Sequence, residues 1–155
     1  MLFIDTWGWL ILWDRHDPRH KAAERLATEA LEERAVCTTN FVFAETITTA
    51  YSRFRERIGR EILDGLSEML RFPEVRCEEI NPDRFQSAIE LRRRYHDKPD
   101  ISFTDLTSMV VMRELGITDI LTADKHFLKV NLGFRVVPGE SKNAREPHRR
   151  GRRGR

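Results

Sequence analysis

The sequence predicts an α/β domain built on a mostly parallel sheet. Short apolar runs alternate along the chain with amphipathic helical stretches, the pattern of strand–helix–strand units. The 155 residues suit one compact domain, long enough to bury a three-layer core. No internal repeat competes with that reading, and no apolar stretch is long enough to span a bilayer.

The elements follow in order. Leu2–Ile4 reads as a first, buried strand, ended by Asp5. A turn and a helix should follow, with Asp17-Pro18 as start signal and Ala22, Ala23, Leu26, Ala27, Ala30 and Leu31 as the buried stripe. A second strand is expected over 35–38. A helix then begins near Asn40, a good N-cap, with Phe43, Ile47, Ala50 and Phe54 on one face. Gly59 punctuates, and a further helix runs to about Phe72. The third strand is expected over 75–80. Asn81-Pro82 opens a helix to about Tyr95, because proline at a first helical position sacrifices no hydrogen bond. A loop over 96–100 leads into a helix from Phe103 to Leu115, stopped by Gly116. Strands four and five are expected over 119–122 and 134–137.

Charge is unevenly placed. The net charge is +2, but residues 141–155 carry seven Lys/Arg and one Glu, a balance of +6, which leaves −4 on residues 1–140. We therefore divide the chain into a domain over 1–140 and a basic tail over 141–155. The tail has almost nothing to bury, so disorder is expected there. Basic arms of this kind contact nucleic acid or are simply solvated extensions. No basic-then-apolar leader with a small-residue cleavage site is visible, since Asp5 interrupts the first apolar run. A cytoplasmic protein without membrane association is expected. Cys37 and Cys77 read as isolated core residues, with no Cys-x-x-Cys pair for zinc or redox chemistry.

Four carboxylates carry the chemical argument: Asp5, Glu45, Asp105 and Asp124. Asp5 and Asp124 each follow an apolar strand. Carboxylates at the ends of buried strands are costly unless positive charge meets them, and in open α/β sheets ligands bind at the strands' carboxyl ends. A hard divalent cation, Mg²⁺ or Mn²⁺, held by oxygen ligands is the inference. Each acid also has a plainer reading. Asp5 and Asp124 suit helix caps for Thr6 and Lys125. Ser102-Phe103-Thr104-Asp105 resembles a capping box. Glu45 lies opposite the Phe43–Phe54 stripe, as a solvated glutamate would. Thr6 and Thr122 read as ordinary turn and strand threonines. His16 and His20 have a zinc-like spacing, but Pro18 between them breaks the helix that spacing needs.

Taken together, Phe3-Ile4-Asp5-Thr6, Thr39-Asn40-Phe41-Val42-Phe43-Ala44-Glu45-Thr46, Ser102-Phe103-Thr104-Asp105 and Leu121-Thr122-Ala123-Asp124-Lys125-His126-Phe127 with Gly133-Phe134 resemble the PIN-domain ribonucleases. More narrowly they are similar to VapC-type toxins of toxin–antitoxin pairs. Asp14–Ala23 and Met112–Ile117 fit the same group, and the likeness spans roughly residues 1–138. It implies a three-layer α/β/α sandwich with a central parallel sheet of about five strands. It implies an acidic pocket for one or two Mg²⁺ or Mn²⁺ ions, with the family's four acidic positions falling on Asp5, Glu45, Asp105 and Asp124. It also implies an RNA substrate, a homodimer and a cognate antitoxin, with at least one of Trp7, Trp9 and Trp13 in such a contact. The basic tail is no part of the shared core.

The expected chemistry is metal-assisted phosphodiester hydrolysis, leaving a 5′-phosphate and a 3′-hydroxyl by resemblance. The metal acidifies a water and neutralises charge on the phosphate. Lys98, Arg113, Lys125, Lys129 and the tail are candidates to hold the RNA backbone. A structured RNA, such as a tRNA or rRNA loop, is the expected target, because loops can be splayed into a pocket and A-form stems are hard to read. Two other readings exist: a non-catalytic RNA-binding module with a vestigial pocket, and a metal phosphatase. The phosphatase reading lacks the Asp-x-Asp that should follow the first strand, since Thr6 and Trp7 stand there.

Overall fold

The computed structural model describes residues 1–139; the expected disorder of the tail over 141–155 falls outside the described residues. Five strands form one parallel sheet: β1 (Leu2–Ile4), β2 (Val36–Thr39), β3 (Val75–Glu78), β4 (Asp119–Leu121) and β5 (Arg135–Val137). Their order is β3-β2-β1-β4-β5. Leu2 lies level with Val36 on one side and with Asp119 on the other. The chain steps outward from β1 to β3, then returns to the far side of β1. The switch point therefore falls between β1 and β4, where a crevice opens at the carboxyl ends of the strands.

Seven helices flank the sheet among the described residues: α1 (Thr6–Trp13), α2 (His20–Glu32), α3 (Asn40–Arg53), α4 (Glu56–Met69), α5 (Pro82–Arg94), α6 (Phe103–Glu114) and α7 (His126–Lys129). The first four lie in the outward crossovers and α5–α6 in the returning one. Right-handed crossovers put these two groups on opposite faces, which gives the three layers. No helix among the described residues is long and apolar enough to cross a membrane.

Strand edges agree with the sequence reading to within two residues; three helical details differ. First, the stretch expected to be a turn after β1 is the helix α1. It is apolar on nearly every side, Trp9, Leu10 and Ile11 being buried, so no stripe marks it. Gly8 within it serves close approach. A Cβ on Gly8 would sit 2.2 Å from the Leu121 carbonyl oxygen and 2.9 Å from Ile4 Cγ2. Gly8→Ala is expected to cost about 2–3 kcal/mol by overpacking, read as a lower chemical-denaturation midpoint at an unchanged m-value.

Second, Gly59 does not separate helices. It lies inside α4, under the Tyr51 ring, and the break comes at Phe54–Arg55. Third, Thr39 rather than Asn40 caps α3, its hydroxyl accepting from Val42 N at 3.1 Å. Asn40 is thereby free to accept from Ile80 N at 2.9 Å and tie α3's start to the end of β3. Two other helix ends are as expected. Asn81 caps α5, and Gly116, at φ +66°, terminates α6 in a conformation that glycine adopts without a Cβ penalty.

Candidate active site

Each acid is delivered by the element that precedes or contains it. Asp5 terminates β1 and caps α1, its Oδ1 accepting from Gly8 N at 2.7 Å. Its Oδ2 accepts from the Thr122 hydroxyl at 2.6 Å. Asp105 sits in the first turn of α6 inside a complete capping box. Its Oδ2 accepts from Ser102 N at 2.9 Å while Ser102 Oγ accepts from Asp105 N at 3.0 Å. Asp124 follows β4, and its Oδ1 accepts from His126 N at 2.7 Å. Glu45 lies in the second turn of α3, and its Oε2 accepts from the Thr6 hydroxyl at 2.5 Å. The caps foreseen for Asp5 and Asp105 are made, whereas α7 starts at His126 with Lys125 at its N-cap and no side-chain cap bond, so Asp124 makes a turn contact to His126 N in place of the expected cap. The caps do not exclude a further role, because they hold the carboxylates at one sheet edge.

Two threonines read as ordinary turn out to organise these acids. The Thr122 hydroxyl accepts from Asp124 N at 2.9 Å and donates to Asp5, linking the ends of β1 and β4. Thr6 links α1 to Glu45. Glu45 is half-buried rather than fully solvated, since Thr6 of α1 donates to it and the buried face of α3 runs through Val42, Phe43, Thr46 and Ala50 instead of the expected Phe43–Phe54 stripe, of which Ile47 and Phe54 are only half-buried.

Electrostatics shows that the acids share one field. Asp5 is 3% exposed, and burial pushes its carboxyl up to about 8. The Thr122 and Gly8 hydrogen bonds partly oppose this, and the Asp105 and Asp124 carboxylates add to it. Burial likewise raises Asp105, offset by its Ser102 contacts and reinforced by Asp124 and Glu45. A metal-free site with these acids ionised is thus under charge stress, which a cation relieves.

His126, quoted within a motif but not expected at the site, is the residue the sequence reading missed. One ligand atom each from Asp105, Asp124 and His126 lies within 4.8 Å of the others. His126 Nδ1 is 2.9 Å from Asp124 Oδ2 and 3.6 Å from Asp105 Oδ2, and Nε2 is 3.1 Å from Asp100 Oδ2. The buried Nδ1 nevertheless lacks a hydrogen bond of good alignment. An under-satisfied nitrogen facing two carboxylates fits a cation-binding pocket. Among the described residues the group that could hold a cation offers two oxygens and a nitrogen. Asp5 and Glu45 stand outside that triad but within its electrostatic reach. The one available signal was Asp124-x-His126 directly after a strand.

The remaining candidates are placed as follows. Lys98 pairs with Asp97 and Lys129 with Asp100; Lys125 is held by interactions of its own, and Arg113 is exposed on α6. Trp9 is core, its Nε1 donating to Thr38 Oγ1 at 3.2 Å. The Arg53 guanidinium lies over the Trp7 ring at 4.6 Å. Trp13 lines an apolar cleft of about 290 Å³ with Leu12, His20, Leu31 and Met69, which includes none of the four acids. His20 Nδ1 contacts Ile11 O at 2.9 Å, an intramolecular structural role.

Comparison with known proteins agrees with this geometry. The family model described as PIN domain matches residues 2–132. The chain belongs to the PIN-domain family. Two curated relatives, from the CDC 1551 and H37Rv strains of Mycobacterium tuberculosis, are each 34% identical over 127 residues, 82% of this chain and 92% of theirs. Both are named 23S rRNA-specific endonuclease VapC20. The crystal structure of M. tuberculosis VapC20, described as a sarcin–ricin loop cleaving toxin, matches with a TM-score of 0.71 at 30% identity, covering 84% of this chain and 95% of that one. This PIN domain is therefore a nuclease of the VapC type. Proteins of that type use divalent metal, act on RNA and pair with antitoxins.

Proposed function

We propose that this PIN domain is the toxin of a type II toxin–antitoxin pair and cleaves a loop of ribosomal RNA. Asp5, Glu45, Asp105 and Asp124 are its catalytic and metal-binding acids, and Mg²⁺ or Mn²⁺ is its ion. The convergence of acids from β1, α3, α6 and the end of β4 at one crevice carries the reading. The named activity of the M. tuberculosis relatives supports the sarcin–ricin loop of 23S rRNA as substrate. The imidazole of His126 beside two carboxylates suits Mn²⁺ at least as well as Mg²⁺.

Each residue then has a task. Asp105 and Asp124 present oxygens, with His126, toward the cation position. Asp5, oriented by Thr122 and Gly8, supplies negative charge from beneath and holds Thr122 in place. Glu45, oriented by Thr6, faces the site from the α3 side, where it is placed to accept a proton from an attacking water. A bound divalent cation supplies Lewis acidity and neutralises charge on the scissile phosphate. The pocket repels RNA until that cation arrives, so basic groups elsewhere hold the backbone. Deleting residues 141–155 is expected to weaken RNA affinity and flatten its salt dependence; an unchanged slope would leave the arm without a binding role.

The partners follow from the same family reading. The apolar cleft containing Trp13 suits an antitoxin segment, and the active form is a homodimer. The direct test is to induce the protein and sequence the 5′ ends of cellular RNA. One new end within the 23S rRNA loop is expected; unchanged rRNA ends would reject that substrate.

A further inference from the structure

Three phenylalanines meet near the starts of α3, α5 and α6. Phe41 lies in the first turn of α3, four residues before Glu45 and on the same side of that helix. Phe103 opens α6, two residues before Asp105. Phe85 is in the opening turns of α5, just after β3. The Phe85 ring meets Phe103 at 5.0 Å between centroids and Phe41 at 6.1 Å. Phe41 and Phe103 are half-buried, while Phe85 is 40% exposed.

We propose that Phe85, backed by Phe41 and Phe103, is the stacking platform for one unpaired base next to the scissile phosphate. This rests on the ribonuclease reading and adds how the substrate is positioned. The occupant is an RNA base because the rings join the acids through α3, where Phe41 stands one helical turn before Glu45. A strand whose phosphate lies at the acids and which follows α3 past Glu45 brings a neighbouring base to these rings. Base–aromatic stacking tolerates any base, so the platform positions a splayed loop without reading its sequence. Partial burial of Phe41 and Phe103 fixes the geometry, and the exposed Phe85 face receives the base.

The test uses the full chain and a hairpin of the 23S rRNA sarcin–ricin loop, with 2-aminopurine replacing each loop purine in turn. Binding is read by fluorescence in an Asp105→Asn background, and cleavage of the unlabelled hairpin in the otherwise wild-type chain. With Phe85 present, 2-aminopurine at one loop position is expected to be quenched. Phe85→Ala is expected to abolish that quenching and weaken binding about 10-fold, consistent with the usual worth of one stacked base. Phe85→Tyr and Phe85→Trp should stay within about 2-fold of wild type, which loss of a merely structural contact would not predict. Equal quenching by Phe85→Ala, or dissociation of the dimer by that change, would overturn the platform while leaving the nuclease reading standing. A wild-type chain that neither binds nor cuts the hairpin would overturn this rRNA-loop reading together with the platform.

Discussion

Asp105→Asn is expected to abolish RNA cleavage, lowering kcat by about 10³-fold or more, without unfolding the protein. The loss follows from removing one anionic ligand of a cation whose stabilisation of transition-state charge is worth several kcal/mol, each 1.36 kcal/mol being tenfold in rate. The fold should survive because asparagine keeps an oxygen where Asp105 Oδ2 accepts from Ser102 N. The backbone donor to Ser102 Oγ is untouched. Asparagine also removes a buried charge that burial, Asp124 and Glu45 all disfavour, so the metal-free variant should melt above the wild type. Asp105→Ala, which loses the reciprocal cap, should melt below Asp105→Asn by the equivalent of about 1 kcal/mol. Single-turnover cleavage and thermal melts check both parts. Wild-type cleavage by a folded Asp105→Asn protein would remove Asp105 from the site.

Metal and pH should act on stability through the same acids. The folded-state pKa of Asp5 is raised from 3.8 to about 8, and that of Asp105 is raised in the same direction. The folded state therefore holds protons that the unfolded state releases. Their stabilisation is complete below the unfolded value near 4 and is lost as pH climbs through the folded values. Carboxylates with lowered values, such as Asp17, Asp119 and Glu78, work oppositely but only as pH falls below about 4. Between pH 5 and 8 the metal-free protein should thus lose stability. Cation affinity should rise over that interval, because ligands must shed protons to bind. At 100 times its Kd a cation adds about 2.7 kcal/mol. Melting curves with Mn²⁺ and with EDTA should nearly coincide at pH 5 and separate widely at pH 8. EDTA should also stop cleavage. A metal-free stability that increases from pH 5 to 8 would show that Asp5 and Asp105 are not held in this environment.

Legibility differed from residue to residue for physical reasons. The strands were readable because short apolar runs bounded by polar residues have few alternative folds. Asp5 and Asp124 stood out as carboxylates directly after such runs. The helix α1 was not readable as a helix: buried on nearly all sides, it has no polar face to reveal its period. Glu45 looked solvated because the expected stripe through Phe43 and Phe54 is not the buried face, which is turned toward Val42 and Thr46 and brings Glu45 within reach of Thr6 on α1. Thr6 and Thr122 carried no linear signal distinguishing them from other threonines, and His126 carried only its place two residues after Asp124 at a strand end.

Chain order and residue chemistry were enough to establish the α/β class, the strand order in sequence and which carboxylates face the cost of burial. Those properties are local, arising from apolar runs, caps and the charge each residue carries. The meeting of Asp105, Asp124 and His126, the Thr122 link between two strand ends and the ring contacts of Phe85 with Phe41 and Phe103 came from the fold. They depend on β4 pairing with β1 across 117 residues from Asp5 to Thr122. Contacts at that separation are set by sheet order and crossover hand, which no short window of sequence contains.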